Sequence, residues 1–185
     1  MTKEMNDLSP GQIIPHSFFE RKTLKVAREL IGKHLARRIG NKIIREKITE
    51  TEAYVGPHDL ACHSSRGKTE RNKMMFCEAG TIYVYFTYGM HWMLNIVTEN
   101  GCGAAVLIRG TENISGPARL TKALKIDKKL NGLKLGKKSG LWIAAPAEAL
   151  REGRKTKLKI SRTPRIGVSY AKEWAQKPYR FILKE

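Results

Sequence analysis

The sequence predicts one α+β domain over residues 1–185, built on a curved, mostly antiparallel sheet with surrounding helices and a protruding β-hairpin. Three observations carry this expectation. An amphipathic repeat near the N-terminus reads as a helix, two turn signals at Gly40-Asn41 and Gly89 each part a pair of β-rich segments, and 185 residues suffice for one sizeable core.

In chain order, Thr23 to Ile31 sets Leu24, Ala27, Leu30 and Ile31 on one helical stripe, with Gly32 where a C-terminal cap belongs. His34 to Ile39 and Lys42 to Tyr54 flank Gly40-Asn41, a dipeptide able to take the positive φ angles of a tight hairpin. Period two places Ile44, Glu46, Ile48, Glu50, Glu52 and Tyr54 on one face of the second strand. Residues 56–80 show little periodicity and read as a long functional loop. Thr81 to Tyr88 and Trp92 to Thr98 form a hairpin with Tyr88 at its tip, and Ala104 to Arg109 is a further strand. Ser115-Gly116-Pro117 opens a helix whose apolar stripe is Leu120, Ala123 and Leu124, and its free amides suit a phosphate. Lys128 to Lys138 and Arg151 to Lys159 read as exposed basic loops around a short Leu141-Trp142-Ile143 strand. The tail, Arg165 to Leu183, returns to the sheet.

Composition narrows the function classes. Thirty-five Lys and Arg against 17 Asp and Glu give a formal net charge of +18, and fifteen of the cations but only three acids lie between Arg119 and Arg165. Such an excess fits a polyanion: neutralising phosphates releases counterions and binds duplex DNA without sequence preference. No apolar run reaches the length of a membrane span, and Met1 to Asp7 has no basic stretch followed by an apolar one, so no membrane partner and an intracellular location are expected. Cys62, Cys77 and Cys102 are odd in number and widely spaced, which predicts reduced thiols and no structural metal.

The side chains suited to chemistry are carboxylates and aromatics. A carboxylate can take a proton from water or steady a developing positive charge, and aromatic faces can stack a flat ligand between them. Glu50 and Glu52 stand on a strand beside Tyr54, Tyr83 and Tyr85 share a face of the next hairpin, and Tyr88 is an exposed wedge. Each alone has a blander reading as surface or core. The strand pattern does not choose between Glu50 and Glu52.

Glu50-Thr51-Glu52-Ala53-Tyr54-Val55-Gly56-Pro57, Ala61-Cys62-His63-Ser64, Arg71-Asn72 with Met75-Phe76, and Tyr83-Val84-Tyr85 with Tyr88-Gly89-Met90-His91 closely resemble the alkyladenine (3-methyladenine) DNA glycosylase family. Asn95, Ala105 to Arg109, Gly116-Pro117 and Arg165-Ile166-Gly167-Val168 extend the similarity over nearly the whole chain. The resemblance implies that Glu52 is the general base activating water, with Arg109 holding that water and carboxylate. It further implies that Tyr54, His63 and Tyr85 line the slot for the flipped base and that Asn95 rejects undamaged guanine. Tyr88 would be the wedge left in the duplex, with Met90, His91, Arg71 and Arg119 against the DNA. The implied partner is double-stranded DNA and the implied products are a free alkylated or deaminated purine and an abasic site. The protein is expected to act as a monomer, with no obligate protein partner and with neither metal nor organic cofactor. The expected location is cytoplasm or nucleoid in a bacterium and nucleus in a eukaryote. The sequence departs from the family in a short stretch between Gly110 and Ser115, in Ala118-Arg119 after Gly-Pro, and in Phe76 to Gly80, which lacks a proline. The rival reading is a non-catalytic RNA- or ribosome-binding module, which would use the same basic surface without Glu52.

Overall fold

The two β-prone segments flanking Gly40-Asn41 make the first hairpin, β1 (His34–Ile39) and β2 (Lys42–Tyr54), in the computed structural model, which describes residues 11–146 and 158–184. Ile39 pairs with Lys42, so the turn has two residues. Only Gly40 takes a positive φ, +58°, which makes this the turn type with glycine at its first central position rather than one needing both residues left-handed. The next strands are β3 (Ile82–Thr87), β4 (His91–Thr98), β5 (Ala104–Thr111) and β6 (Leu141–Ala144), followed by β7 (Ile160–Thr163) and β8 (Arg180–Leu183). They form one curled antiparallel sheet in the order β3-β4-β5-β2-β1-β6, with β8 paired to both β2 and β7.

The main core lies between this sheet and the helices α1 (Thr23–Leu30) and α2 (Pro117–Ala123). Helix α1 buries Val26, Ala27 and Leu30 and ends at Ile31, after which Gly32, at φ +84°, donates its N–H to Ile48 O at 2.8 Å. Burying each such aliphatic side chain contributes about 1.5–3 kcal/mol. Helix α2 starts on Pro117 as expected, but its inward face is Leu120 and Thr121, followed by Leu124; Ala123 is exposed. Thr121 tolerates burial because its hydroxyl donates to Trp92 O at 2.9 Å.

Residues 128–138 are less exposed than their lysines suggest. Leu130 and Leu135 are buried in the core, and the segment runs along β3 through Gly132 N to Ile82 O and Ile82 N to Leu133 O, both 2.8 Å. The cations stay outside while the leucines anchor the strap. Strand β7 was not anticipated beside the basic stretch that precedes it; of the predicted loop Arg151 to Lys159, residues 151–157 lie outside the described residues.

The predicted single face of β2 is also corrected. Ile48 pairs with Thr111, Glu50 with Gly110 and Thr51 with Ile108, so the register slips twice around Glu50, leaving Thr49 and Arg109 as the extra residues. A bulge of this kind reverses side-chain parity. Ile48 before it and Ala53 after it both pack in the main core, and Thr51 donates its hydroxyl to Ala27 O of α1 at 2.9 Å. Glu52 and Tyr54 still share a face, but it is the opposite one from Ile48.

Candidate active site

Beyond the bulge, Glu50 to Glu52 run between β5 and β8, and both carboxylates turn toward Arg109. Glu52 has no exposed surface. Its Oε2 accepts from the Tyr54 hydroxyl at 2.9 Å and its Oε1 from the Ile166 N–H at 2.8 Å, so both oxygens are held. Arg109 Nη1 stands 3.4 Å from Oε1, longer than the ~2.7–2.9 Å of a direct charge-assisted bond. Arg109 gives its close bond to the neighbour instead, Nε to Glu50 Oε1 at 2.9 Å. Burial pushes the Glu52 carboxyl above the usual carboxylate range, against the pull of Arg109, the Ile166 amide and the Tyr54 hydroxyl.

The two candidate carboxylates, indistinguishable by strand pattern, thus have different surroundings. Glu50 is shared by two guanidinium groups, since Arg180 Nε also donates to its Oε1 at 2.6 Å. Glu52 is the one placed against the aromatic residues.

Those aromatics come from three segments. The 3-10 turn His63–Arg66 in the long loop presents His63, whose Nδ1 is 3.0 Å from the Tyr83 hydroxyl. The His63 ring meets Tyr85 edge-on at 4.5 Å between centroids, and Tyr85 lies 5.4 Å from Tyr83. Burial pushes the Tyr85 hydroxyl up to about 12, with the Glu52 charge contributing next. Burial, then nearby Arg71, lowers His63 from its ordinary value, so its imidazole is neutral at neutral pH. Asn72 fixes this loop by donating Nδ2 to His63 O at 2.9 Å and to Gly67 O at 2.8 Å. A cavity of about 360 Å³ opens beside His63, walled by Leu60, Cys62, Arg66, Arg71 and Tyr170.

Asn95 is buried opposite Tyr83 on β4, with Nδ2 directed at the Tyr83 and Met93 carbonyls at 3.3 and 3.4 Å. The predicted DNA-facing residues lie apart from this floor, except Arg71, which walls the cavity beside His63. Tyr88, Met90 and His91 are exposed at the β3–β4 tip, Tyr88 at 80%. Arg71 donates Nη2 to Phe86 O at 3.0 Å and so braces that hairpin. Arg119 is exposed on the first turn of α2.

Sequence reasoning gave no role to Asp59 and Arg165, a fully buried ion pair that orders the site from behind. Arg165 bonds both Asp59 oxygens, Nη2 to Oδ1 at 2.8 Å and Nη1 to Oδ2, and donates Nη1 to Ala53 O at 2.8 Å. Its guanidinium lies 4.8 Å over the Tyr54 ring, and the next residue supplies the amide that holds Glu52. One face of Tyr54 is therefore already occupied by a cation. The signal that could have pointed here was Arg165-Ile166-Gly167-Val168, which extended the family resemblance.

The family model described as methylpurine-DNA glycosylase (MPG) matches residues 17–115 and 112–185. Relatives named "Putative 3-methyladenine DNA glycosylase" match along nearly the whole chain, three of them as follows. One from Legionella pneumophila (strain Corby) is 47% identical over 180 residues, covering 93% of this chain and 94% of the relative. One from Myxococcus xanthus is 43% identical over 183 residues, covering 93% and 90%. The third, from Methanocella arvoryzae, is 41% identical over 193 residues, covering 93% and 92%.

Proposed function

The chain belongs to the methylpurine-DNA glycosylase family, and from that premise we propose that it flips an alkylated purine out of duplex DNA and hydrolyses its glycosidic bond with water activated by Glu52. The observation that carries this reading is a desolvated carboxylate, held on both oxygens, next to an aromatic cluster and only loosely paired with Arg109. Water entering with the substrate bridges Glu52 Oε1 and Arg109 from the side, hydrogen-bonded to both. Its oxygen bonds to the sugar carbon, its proton passes to Glu52, and the glycosidic electron pair leaves with the base. A raised carboxyl is a better proton acceptor than an ordinary one, which suits this role.

The surroundings favour a base that is already cationic. Departure of a methylated purine cancels its own positive charge and needs no acid. Neutral hypoxanthine has to gain a proton, and among the groups around the slot His63 is neutral and the Tyr83 and Tyr85 hydroxyls titrate far above neutrality. Alkylated purines are therefore the foremost substrates and hypoxanthine a slower one. Tyr54, His63 and Tyr85 stack on the flipped base, Asn95 screens guanine, and Tyr88 fills the vacated stack, with Met90, His91, Arg71 and Arg119 along the backbone. The net charge of +18 supplies sequence-independent affinity for duplex DNA. No helix among the described residues is long and apolar enough to cross a membrane. The enzyme acts as a monomer inside the cell.

The test is release of free base from methylated duplex DNA. Glu52→Gln is expected to lower the single-turnover rate by about 10²–10⁴-fold while leaving duplex affinity intact. Equal release by variant and wild type would remove Glu52 from the role.

A further inference from the structure

Glu50 sits two residues from Glu52 on the same face of β2, between β5 and β8, and its side chain is only 15% exposed. Its Oε1 accepts from Arg109 Nε at 2.9 Å and from Arg180 Nε at 2.6 Å. Arg109 is the extra residue of β5 where the register slips, and a bulge re-aims its side chain toward the two carboxylates. Arg109 gives its close bond to Glu50 and leaves Nη1 at 3.4 Å from Glu52, whose two oxygens accept from Tyr54 and Ile166 instead.

We propose that Glu50 is a positioning residue for the reaction: by sharing its carboxylate between Arg109 and Arg180 it holds the Arg109 guanidinium off Glu52, leaving that carboxylate free to take a proton from water. This inference rests on Glu52 being the base.

The charges facing Glu52 give the inference a measurable sign. On β2 they are Glu50 and the Tyr54 hydroxyl, on β5 Arg109, and on β3 the Tyr85 hydroxyl. Behind Tyr54 lies Arg165, its charge matched by Asp59, and on β8 Arg180, matched by Glu50. Removing the Glu50 charge leaves two cations uncompensated and lets Arg109 close on Glu52. Both effects stabilise the ionised base and make it weaker. Removing the Arg180 charge has the opposite effect, since Glu50 then acts more strongly on Glu52.

The experiment is the pH dependence of single-turnover base release from methylated duplex DNA, whose methylated purine keeps its positive charge throughout the acidic range. Glu50→Gln is expected to move the acidic limb to lower pH and to lower the plateau roughly tenfold, as for the loss of ~1.4 kcal/mol of transition-state stabilisation. Arg180→Gln is expected to move the same limb to higher pH, and Glu50→Asp to keep it near the wild-type position. Thermal melting and affinity for undamaged duplex confirm that each variant is folded; should Glu50→Gln not fold, the Arg180→Gln shift decides alone. Limbs that stay in place in the folded variants, or move together in one direction, overturn the inference. An active Glu52→Gln would instead overturn the reading on which it rests.

Discussion

Glu52, the proposed base, and Tyr88, the proposed wedge, are held by opposite means. Glu52 lies under the sheet surface with both oxygens bonded, anchored through Ile166 and Tyr54 to the buried Asp59–Arg165 pair. Tyr88 stands 80% exposed on a turn in which it and Gly89 both take positive φ, +51° and +66°, closed by Met90 N to Thr87 O at 3.2 Å. A left-handed tyrosine costs about 1–3 kcal/mol of backbone strain. The molecule gives up stability in two places, at the floor by desolvating a charge and at the tip by presenting an aromatic ring to solvent. The floor is coupled to the whole fold, the tip only to its own hairpin.

Breaking the coupling at the floor should have the largest effect. Asp59→Asn leaves the Arg165 guanidinium buried without its counter-charge, which is expected to cost about 3–5 kcal/mol of stability and to lower base release with it. Thermal or urea unfolding reads the loss; a melting point unchanged from wild type would show that the two regions are not built differently.

That pair also marks the limit of what the sequence discloses. Asp59 and Arg165 are 106 residues apart, and neither lies in a periodic segment, so no local pattern joins them. The same holds for the slip at Glu50: strand alternation was visible, but the bulge that puts Ile48 and Glu52 on opposite faces depends on pairing with β5, which residue type alone does not reveal. Helix α1, the two hairpins and the α+β class with an antiparallel sheet were legible because each rests on local period and turn chemistry. Preferring Glu52 to Glu50 rests on the family resemblance; what strand pattern also hides is that their surroundings differ, one carboxylate being claimed by two guanidinium groups and the other desolvated.

At the tip the effects are smaller and separable. Tyr88→Ala should reduce base release by roughly tenfold, in line with the ~1–3 kcal/mol of a base–aromatic stack, while the melting point stays close to wild type. Tyr88→Gly loses the same ring but relieves the positive φ, so it should be more stable than Tyr88→Ala by about 1 kcal/mol. If the alanine variant is the more stable, the turn is not strained.

The smallest expected effect concerns stability at the floor. The folded state raises the Glu52 carboxyl above its unfolded value, so this group favours folding at low pH and that contribution disappears as pH rises through the folded value. Glu52→Gln, neutral throughout, should therefore melt higher than wild type near neutral pH, and the gap should close on acidification. A gap that widens as pH falls would mean that the carboxylate is stabilised, not strained, by its site.

The most direct test of a desolvated base is the acidic limb of kcat/KM for wild-type enzyme on methylated duplex DNA, because that limb reports groups of the free enzyme. Burial of Glu52 predicts a single-proton loss of activity centred above the ordinary carboxylate range. Activity holding flat through that range, down to the pH where the fold itself fails, would contradict it.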